Sequence, residues 1–419
     1  VAKTFFDTLE VTRAPVIALH SSPRALLQAP RNIAEKLKAQ LEDIEEVSRV
    51  EIAGAGYINV FLDRAKLLGL FAGPTPTAAP DQDQPKKMVE HTSINPNKAA
   101  HIGHVRNAVL GDTFVRILQA AGDRVEIQNY IDNTGVQVAD VVVGFLHLEK
   151  MNLDQIKSLD ASLTKDYTFD YYCWDLYTKV GLFYRDGNPS GDLNPEKIKL
   201  RNEVLHALEE GRNTIAELAD YVATRNVECI IDTMERLDIR YDLLARESDI
   251  LHLHFWERAF ELMKKTGVIR YETEGRHAGC WVMPFESHTG TDEHESDKII
   301  VRSNGTVTYT GKDIAYQLWK LGKLGLDFNY KVFRNYPDGH VLWVSKTEIG
   351  GERPPFGGGI TVYNVIDSRQ SYPQEIVAQG VAAVVPEIGE DASVHFSYEM
   401  VALSPAACEE LGIELSDED

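Results

Sequence analysis

Cysteine is scarce in this chain. Its 419 residues hold four, Cys173, Cys229, Cys280 and Cys408, with no Cys-x-x-Cys pair among them and none placed with a histidine pair as a zinc knuckle requires. A disulfide-stapled secreted scaffold is excluded, and the four read as reduced thiols of a cytosolic protein. Long apolar runs are also missing: none approaches the ~20 residues that cross a bilayer. The opening Val1-Ala2-Lys3-Thr4-Phe5-Phe6-Asp7 has no signal core. No membrane partner is expected. The first residue is not methionine, which points to a trimmed chain or one that starts inside a gene product. Positive charge is short as well: 43 Lys and Arg stand against 64 Asp and Glu, a formal charge of −21. A general polyanion-binding surface is therefore disfavoured, and any contact with nucleic acid must be local. There are no internal repeats. What remains, 43% hydrophobic and 26% charged, is the composition of a globular protein. The length calls for two or three domains.

The pattern along the chain predicts an α/β protein. Residues 1–72 read as a small α+β domain. A helix runs from Pro30 to Leu41, then strand, turn and strand fill Val47 to Leu62, broken at Gly54-Ala55-Gly56. Residues 73–86, rich in Pro, Thr, Ala and Asp, read as a linker. From 87 to 419 the expectation is a doubly wound, Rossmann-like parallel sheet. Its first unit is a strand at Lys87-Met88-Val89-Glu90, a loop, a helix from about Gly103 to Ala121 capped by Gly122, and a strand at Val125–Tyr130. Residues from about 150 to 265 read as a mostly helical insertion with a polar turn at Asp186–Gly191. Strands are expected again around Gly279–Met283, Lys298–Val301 and Thr306–Tyr309. A helix from Gly311 to Leu321 and a buried strand at Gly359–Ile366 follow.

The chemistry gathers at His101-Ile102-Gly103-His104. A His-x-Gly-His string is expected by chance roughly 0.03 times in a chain of this composition. It lies where an apolar strand gives way to a helix, the place at which such sheets bind nucleotide phosphates. Amides at a helix start carry partial positive charge, and Gly103 lets the backbone approach a phosphate. His101 and His104, three apart, share one side of the first turn and offer N–H donors to charge developing on phosphorus. Lys98 adds a point charge. The implied chemistry is attack on the α-phosphate of ATP with loss of pyrophosphate. The plainer alternative is two surface histidines capping a helix.

The string from Val89 to Asp112, continued by Asn129-Tyr130-Ile131-Asp132-Asn133-Thr134-Gly135-Val136-Gln137, resembles the arginyl-tRNA synthetases, class I enzymes that share the His-x-Gly-His signature. Gly54–Leu62 resembles the end of that family's tRNA-contacting N-terminal domain. Arg302–Tyr316 resembles its second substrate-binding segment, and His395–Val401 the stretch leading to its second signature loop. The resemblance implies ATP-dependent charging of tRNA with arginine, with Mg²⁺ accompanying ATP, in a cytoplasmic monomer. It also implies activation that waits for tRNA. By position, His101, Gly103 and His104 match the ATP signature. Glu90, Asn95, Tyr309, Asp313 and Gln370 match the arginine pocket.

The chemistry of arginine fits those residue types. A guanidinium is a planar fork of five donors, and selecting it over lysine needs carboxylates that receive the fork. Glu90 and Asp313, expected at strand ends on one sheet edge, supply two. Each has an ordinary alternative. Asp313 stands three after Thr310 in a capping-box spacing. Tyr309 fits a plain strand tyrosine, Glu90 a solvated strand end, and Lys98 a solvated lysine. Another class I synthetase, such as the cysteine enzyme, is disfavoured by the missing Cys/His zinc site. A non-catalytic tRNA- or arginine-binding module stays open. The family's lysine-bearing Lys-Met-Ser-Lys loop and its helical anticodon-binding domain are not found before Asp419, so an incomplete synthetase is expected, with Lys98 as a compensating cation and weak or absent full aminoacylation.

Overall fold

The computed structural model describes residues 28–54, 57–71, 84–186, 192–284, 297–305, 307–399, 401 and 404–412. The linker expected at 73–86 (up to residue 83), the tip of the polar turn at 187–191 and the final polar run lie outside them. The chain divides into two compact units, Val1–Ala78 and Ala79–Asp419.

In the first unit, helix α1 (Gln28–Glu42) precedes an antiparallel hairpin, β1 (Val47–Ala53) and β2 (Tyr57–Leu62), and a short α2 (Arg64–Phe71). Gly54 takes a φ of 54° at the turn, a conformation that costs glycine nothing. Asp63 starts α2, its Oδ1 accepting from the Ala65 and Lys66 amides at 2.9 and 3.2 Å.

The second unit opens with β3 (Lys86–Glu90), α3 (Ile102–Ala120) and β4 (Arg124–Ile131). A helical excursion follows: α4 (Val136–Val143), α5 (Leu153–Ser162), α6 (Phe169–Arg185), α7 (Pro195–Glu210) and α8 (Thr214–Arg236). It has its own core around Val141, Phe145, Phe169, Leu176 and Val222. Next come β5 (Leu243–Arg246), α9 (Glu247–His252), α10 (Phe255–Thr266), β6 (Arg270–Tyr271), β7 (Trp281–Pro284), β8 (Asp297–Val301) and α11 (Tyr309–Lys320). The described order closes with β9 (Asn329–Asn335), β10 (Val341–Lys346), β11 (Thr361–Asp367), α12 (Ser371–Val384), β12 (Ser393–Tyr398) and α13 (Pro405–Leu411).

Seven strands form one sheet in the order β12-β11-β3-β4-β5-β10-β9. All run parallel except β9, which is antiparallel to β10. The chain winds from β3 through β4 and β5 to one side, then returns to place β11 and β12 on the other. The doubly wound sheet expected from the sequence is present, and its direction reverses between β3 and β11, where such sheets open a ligand crevice. Helices α10, α11 and α12 bury one face and α3 and α8 the other. Among the described residues no helix is long and apolar enough to cross a membrane.

Two expectations need correction. Leu243–Arg246 lies inside the segment read as helical, yet it is a central strand between β4 and β10. Four residues with three of them buried carry no alternation for a period-2 pattern to reveal. The strands near 281 and 298 do not extend the main sheet: β6, β7 and β8 form a separate three-stranded antiparallel sheet. The third strand expected there is reduced to one bridge, Val307 to Val301, with Thr306 outside the described residues, and Tyr309 already begins α11.

Helix α3 is packed hard on the sheet. Its buried positions, His104, Asn107, Ala108, Gly111, Val115 and Leu118, follow helical spacing, and Gly122 ends it at a φ of 90°. A Cβ at Gly111 would stand 2.3 Å from His91 Cβ. Gly111→Ala is therefore expected to cost about 1–3 kcal/mol by overpacking, read as a lowered urea midpoint with unchanged slope. An unchanged midpoint would mean that helix and strand can separate freely.

Candidate active site

The crevice begins where β3 ends. Glu90 is its last residue, and Thr92 and Ser93 follow with φ of 76° and 50°, left-handed values that non-glycine residues adopt at a cost. Local bonds hold that turn. The Thr92 amide donates to Asn107 Oδ1 at 2.6 Å, and Thr92 Oγ1 shares a 2.7 Å bond with the Tyr241 hydroxyl. Asn107 Nδ2 in turn donates to the Val365 carbonyl at 2.7 Å and the Tyr398 hydroxyl at 3.0 Å. One side chain of α3 thus ties β3 to β11 and β12 across the reversal point. The loop then follows the end of β4: the Ile94 amide donates to the Tyr130 carbonyl at 2.8 Å, and the Asp132 amide to the Ile94 carbonyl at 2.9 Å. Half-buried Asn95 comes directly after.

Glu90 and Asp313 lie together at this edge, although Asp313 sits in the second turn of α11 and not at a strand end. The capping alternative for Asp313 does not hold, because the N-cap is Thr308 and Thr310 lies within the helix. Solvent reaches Asp313, but protein crowds it elsewhere. That desolvation, with the charges of Glu247 and Glu90, raises its carboxyl to about 7 against the opposing pull of Lys320 and Lys312.

The sequence reading missed three members of this cluster. Glu247, at the start of α9, accepts from Thr134 Oγ1 at 2.9 Å and has Lys312 Nζ 3.6 Å away. Asp132, at the end of β4, is hydrogen-bonded to Glu247. Burial and that neighbour raise Asp132 to about 8. Lys320 is the third. Its ammonium is buried 2.7 Å from Glu90 Oε2. Glu90 is therefore a buried, paired carboxylate and not a solvated strand end. Helical spacing was the available signal, since Asp313, Tyr316 and Lys320 fall on one face of α11. For Glu247 there was none.

The second half of the edge is the histidine loop. His101 is the N-cap of α3, its Nδ1 accepting from the Gly103 amide at 3.1 Å, while the His101 amide donates to His104 Nδ1 at 3.3 Å. The two rings lie 4.0 Å apart. Capping is thus real, and it has a chemical consequence. An imidazole nitrogen that accepts from an amide carries no proton, so in each neutral ring the proton sits on Nε2. The caps leave both histidines presenting an N–H donor. Burial, then the charges of His101 and Lys98, lower His104 to about 4, and burial and Lys98 lower His101, so both rings are neutral at pH 7. Lys98 is half-buried over the rings of Trp174 and Tyr177 of α6, 5.4 Å from each centroid. Burial lowers its ammonium below the usual lysine range. A Cβ at Gly103 would meet the His101 ring at 2.9 Å.

Two expected residues are less closely tied to the site. Gln370 is exposed in the turn leaving β11, on the same sheet edge. Tyr309 begins α11, and its side chain lies outside the described residues.

A family described as tRNA synthetases class I (R), catalytic domain, matches residues 76–340. The chain belongs to the class I arginyl-tRNA synthetases. A second family, the arginyl tRNA synthetase N terminal domain, matches residues 19–62. The arginine–tRNA ligase of Thermococcus sibiricus is 37% identical over 385 residues, covering 89% of this chain and 58% of the relative. That of Deinococcus radiodurans is 34% identical over 379 residues, covering 89% and 57%. Among solved structures, Thermus thermophilus arginyl-tRNA synthetase superposes with a TM-score of 0.67 at 32% identity, covering 88% of this chain and 57% of that one. This synthetase chain thus spans less than two thirds of the length of these relatives.

Proposed function

We propose that the chain activates arginine with ATP and serves its transfer to tRNA. The observation that carries this reading is the pairing, on one sheet edge, of an acidic pocket around Asp313 with two neutral imidazoles that present N–H donors at a helix start. Arginine's guanidinium enters among Asp313, Glu247 and Glu90, with Asn95, Tyr309 and Gln370 as further contacts. Its carboxylate oxygen attacks the α-phosphorus of ATP, the bond to pyrophosphate breaks, and arginyl-adenylate forms. The His101 and His104 N–H groups and Lys98 meet the charge that builds on the phosphate oxygens. Mg²⁺ arrives bound to the triphosphate. A hydroxyl of the terminal adenosine of tRNA then takes the arginyl group and AMP leaves. The first unit contacts that tRNA, and the setting is a cytoplasmic monomer. The test is ATP–pyrophosphate exchange with arginine and tRNA present. Exchange that needs arginine and is not supported by lysine agrees with the reading. No exchange, with no calorimetric binding of arginine or ATP, overturns it.

The pocket's titration adds a pH signature. Asp313 is neutral below about 7 and charged above it. A guanidinium stays charged throughout, so arginine affinity is expected to rise from pH 6 to pH 8, with protons released on binding. Calorimetry in buffers of different ionisation enthalpy reads both. Affinity that is flat or falling over this range would remove the charged pocket.

A further inference from the structure

A line of buried polar side chains crosses the sheet beneath the acidic pocket. Lys320 stands in its middle. The Lys320 ammonium, on a residue 3% exposed, lies 2.7 Å from Glu90 Oε2, donates to Asn364 Oδ1 at 2.9 Å and sits 4.4 Å from the centre of the Tyr316 ring. Asn364 is the cross-strand neighbour of Glu90 on β11, and its Nδ2 donates to Gln374 Oε1 of α12 at 3.1 Å. On the other side, the Tyr316 hydroxyl donates to Gln128 Oε1 at 2.8 Å, and Gln128 Nε2 donates to Glu126 Oε1 at 2.5 Å. Helix α11 therefore carries one cation into the junction of β3 and β11, where the sheet reverses.

The placement bears on selectivity. A buried cation held by a carboxylate, an amide oxygen and an aromatic face has no cause to leave when a second cation arrives. It is a fixed part of the pocket, not a plug in it. Glu90 is thereby held in one orientation with its charge largely balanced, so it offers a guanidinium a placed acceptor, while the uncompensated negative charge comes from Asp313 and Glu247. A pocket in which Glu90 is free to turn would lose the fork-shaped arrangement of acceptors that favours a guanidinium, and would hold arginine less well and with less advantage over lysine.

We propose that Lys320 is a positioning residue for amino-acid selection, acting through Glu90. It fixes that carboxylate and sets the charge of the pocket to suit one guanidinium. This rests on the arginine-pocket reading above and adds to it a residue that need not touch the substrate.

The test is calorimetry on the full chain with arginine, lysine and ATP as separate ligands. Lys320→Met is expected to weaken arginine on the order of tenfold, the effect of a misplaced binding group, to narrow the gap between arginine and lysine, and to leave ATP affinity unchanged. A purely structural role would weaken arginine and ATP alike. Because loss of a buried cation can unfold the chain, Asn364→Leu is the second variant. It keeps the ion pair and removes one acceptor, and a smaller loss confined to arginine is expected. A third arm combines Lys320→Met with Glu90→Gln. If Lys320 acts through Glu90, the double variant binds arginine no worse than Glu90→Gln alone. Additive losses overturn the proposal, as does unchanged arginine affinity in Lys320→Met or Asn364→Leu. Failure of the wild-type chain to bind arginine at all would instead sink the pocket reading itself.

Discussion

Asp313→Asn is expected to erase the preference for arginine over lysine. The substitution keeps size and one acceptor, removes the charge, and turns an amide NH₂ toward a ligand group that has only donors. The loss is roughly the 1.5–3 kcal/mol that a hydrogen bond to a charged group contributes, or about 10- to 100-fold in affinity. Asp313 also makes the variant's pH behaviour informative. Its carboxyl titrates at about 7 in the empty pocket, so at pH 6 most of the wild type is already as neutral as the asparagine. The gap between wild type and variant should be narrow at pH 6 and wide at pH 8, and the variant should lose most of the rise in arginine affinity with pH. Whatever pH dependence survives belongs to Asp132, which burial and the neighbouring Glu247 raise to about 8. A variant that binds arginine as the wild type does, or a wild type that binds lysine equally well, would take Asp313 out of the pocket.

How much of this was legible in the sequence depended on distance along the chain. The β3–α3–β4 unit could be read residue by residue because each signal is local: a buried strand, helical spacing of apolar positions, and Gly122 where left-handed backbone is needed. The histidine loop was legible for the same reason. Strand β5 was not, since Leu-Leu-Ala-Arg suits a helix as well as a buried strand and only its neighbours β4 and β10 decide. Nor could the pattern tell that β7 and β8 pair with each other and not with the main sheet, because strand propensity does not name a partner. The site divides along the same line. His101, Gly103, His104 and Lys98 fall within seven residues and were found together. Glu90 was found without its partner, because Lys320 reaches it only through the packing of α11 on the sheet. Glu247 and Asp132 were missed as a pair because their hydrogen bond joins two side chains that meet only after folding.

The histidine pair offers a sharper experiment than removal of either ring, because capping and catalysis use different nitrogens. His104 accepts from the His101 amide through Nδ1, and the donor available to a phosphate is Nε2. Asparagine places its oxygen near the Nδ1 position and has nothing at Nε2. Glutamine reaches the Nε2 position with an N–H donor and has no acceptor at Nδ1. His104→Asn should therefore keep the helix cap and its thermal stability while arginine- and tRNA-dependent pyrophosphate exchange falls by roughly 10²- to 10³-fold, the scale for a lost donor to developing charge. His104→Gln should do the reverse. It loses about 1 kcal/mol of helix-start stability and retains more exchange than the asparagine variant. If the ring served only to start the helix, asparagine would be the milder change in both measurements. The order of the two variants in exchange, set against their order in melting temperature, separates a catalytic imidazole from a structural one.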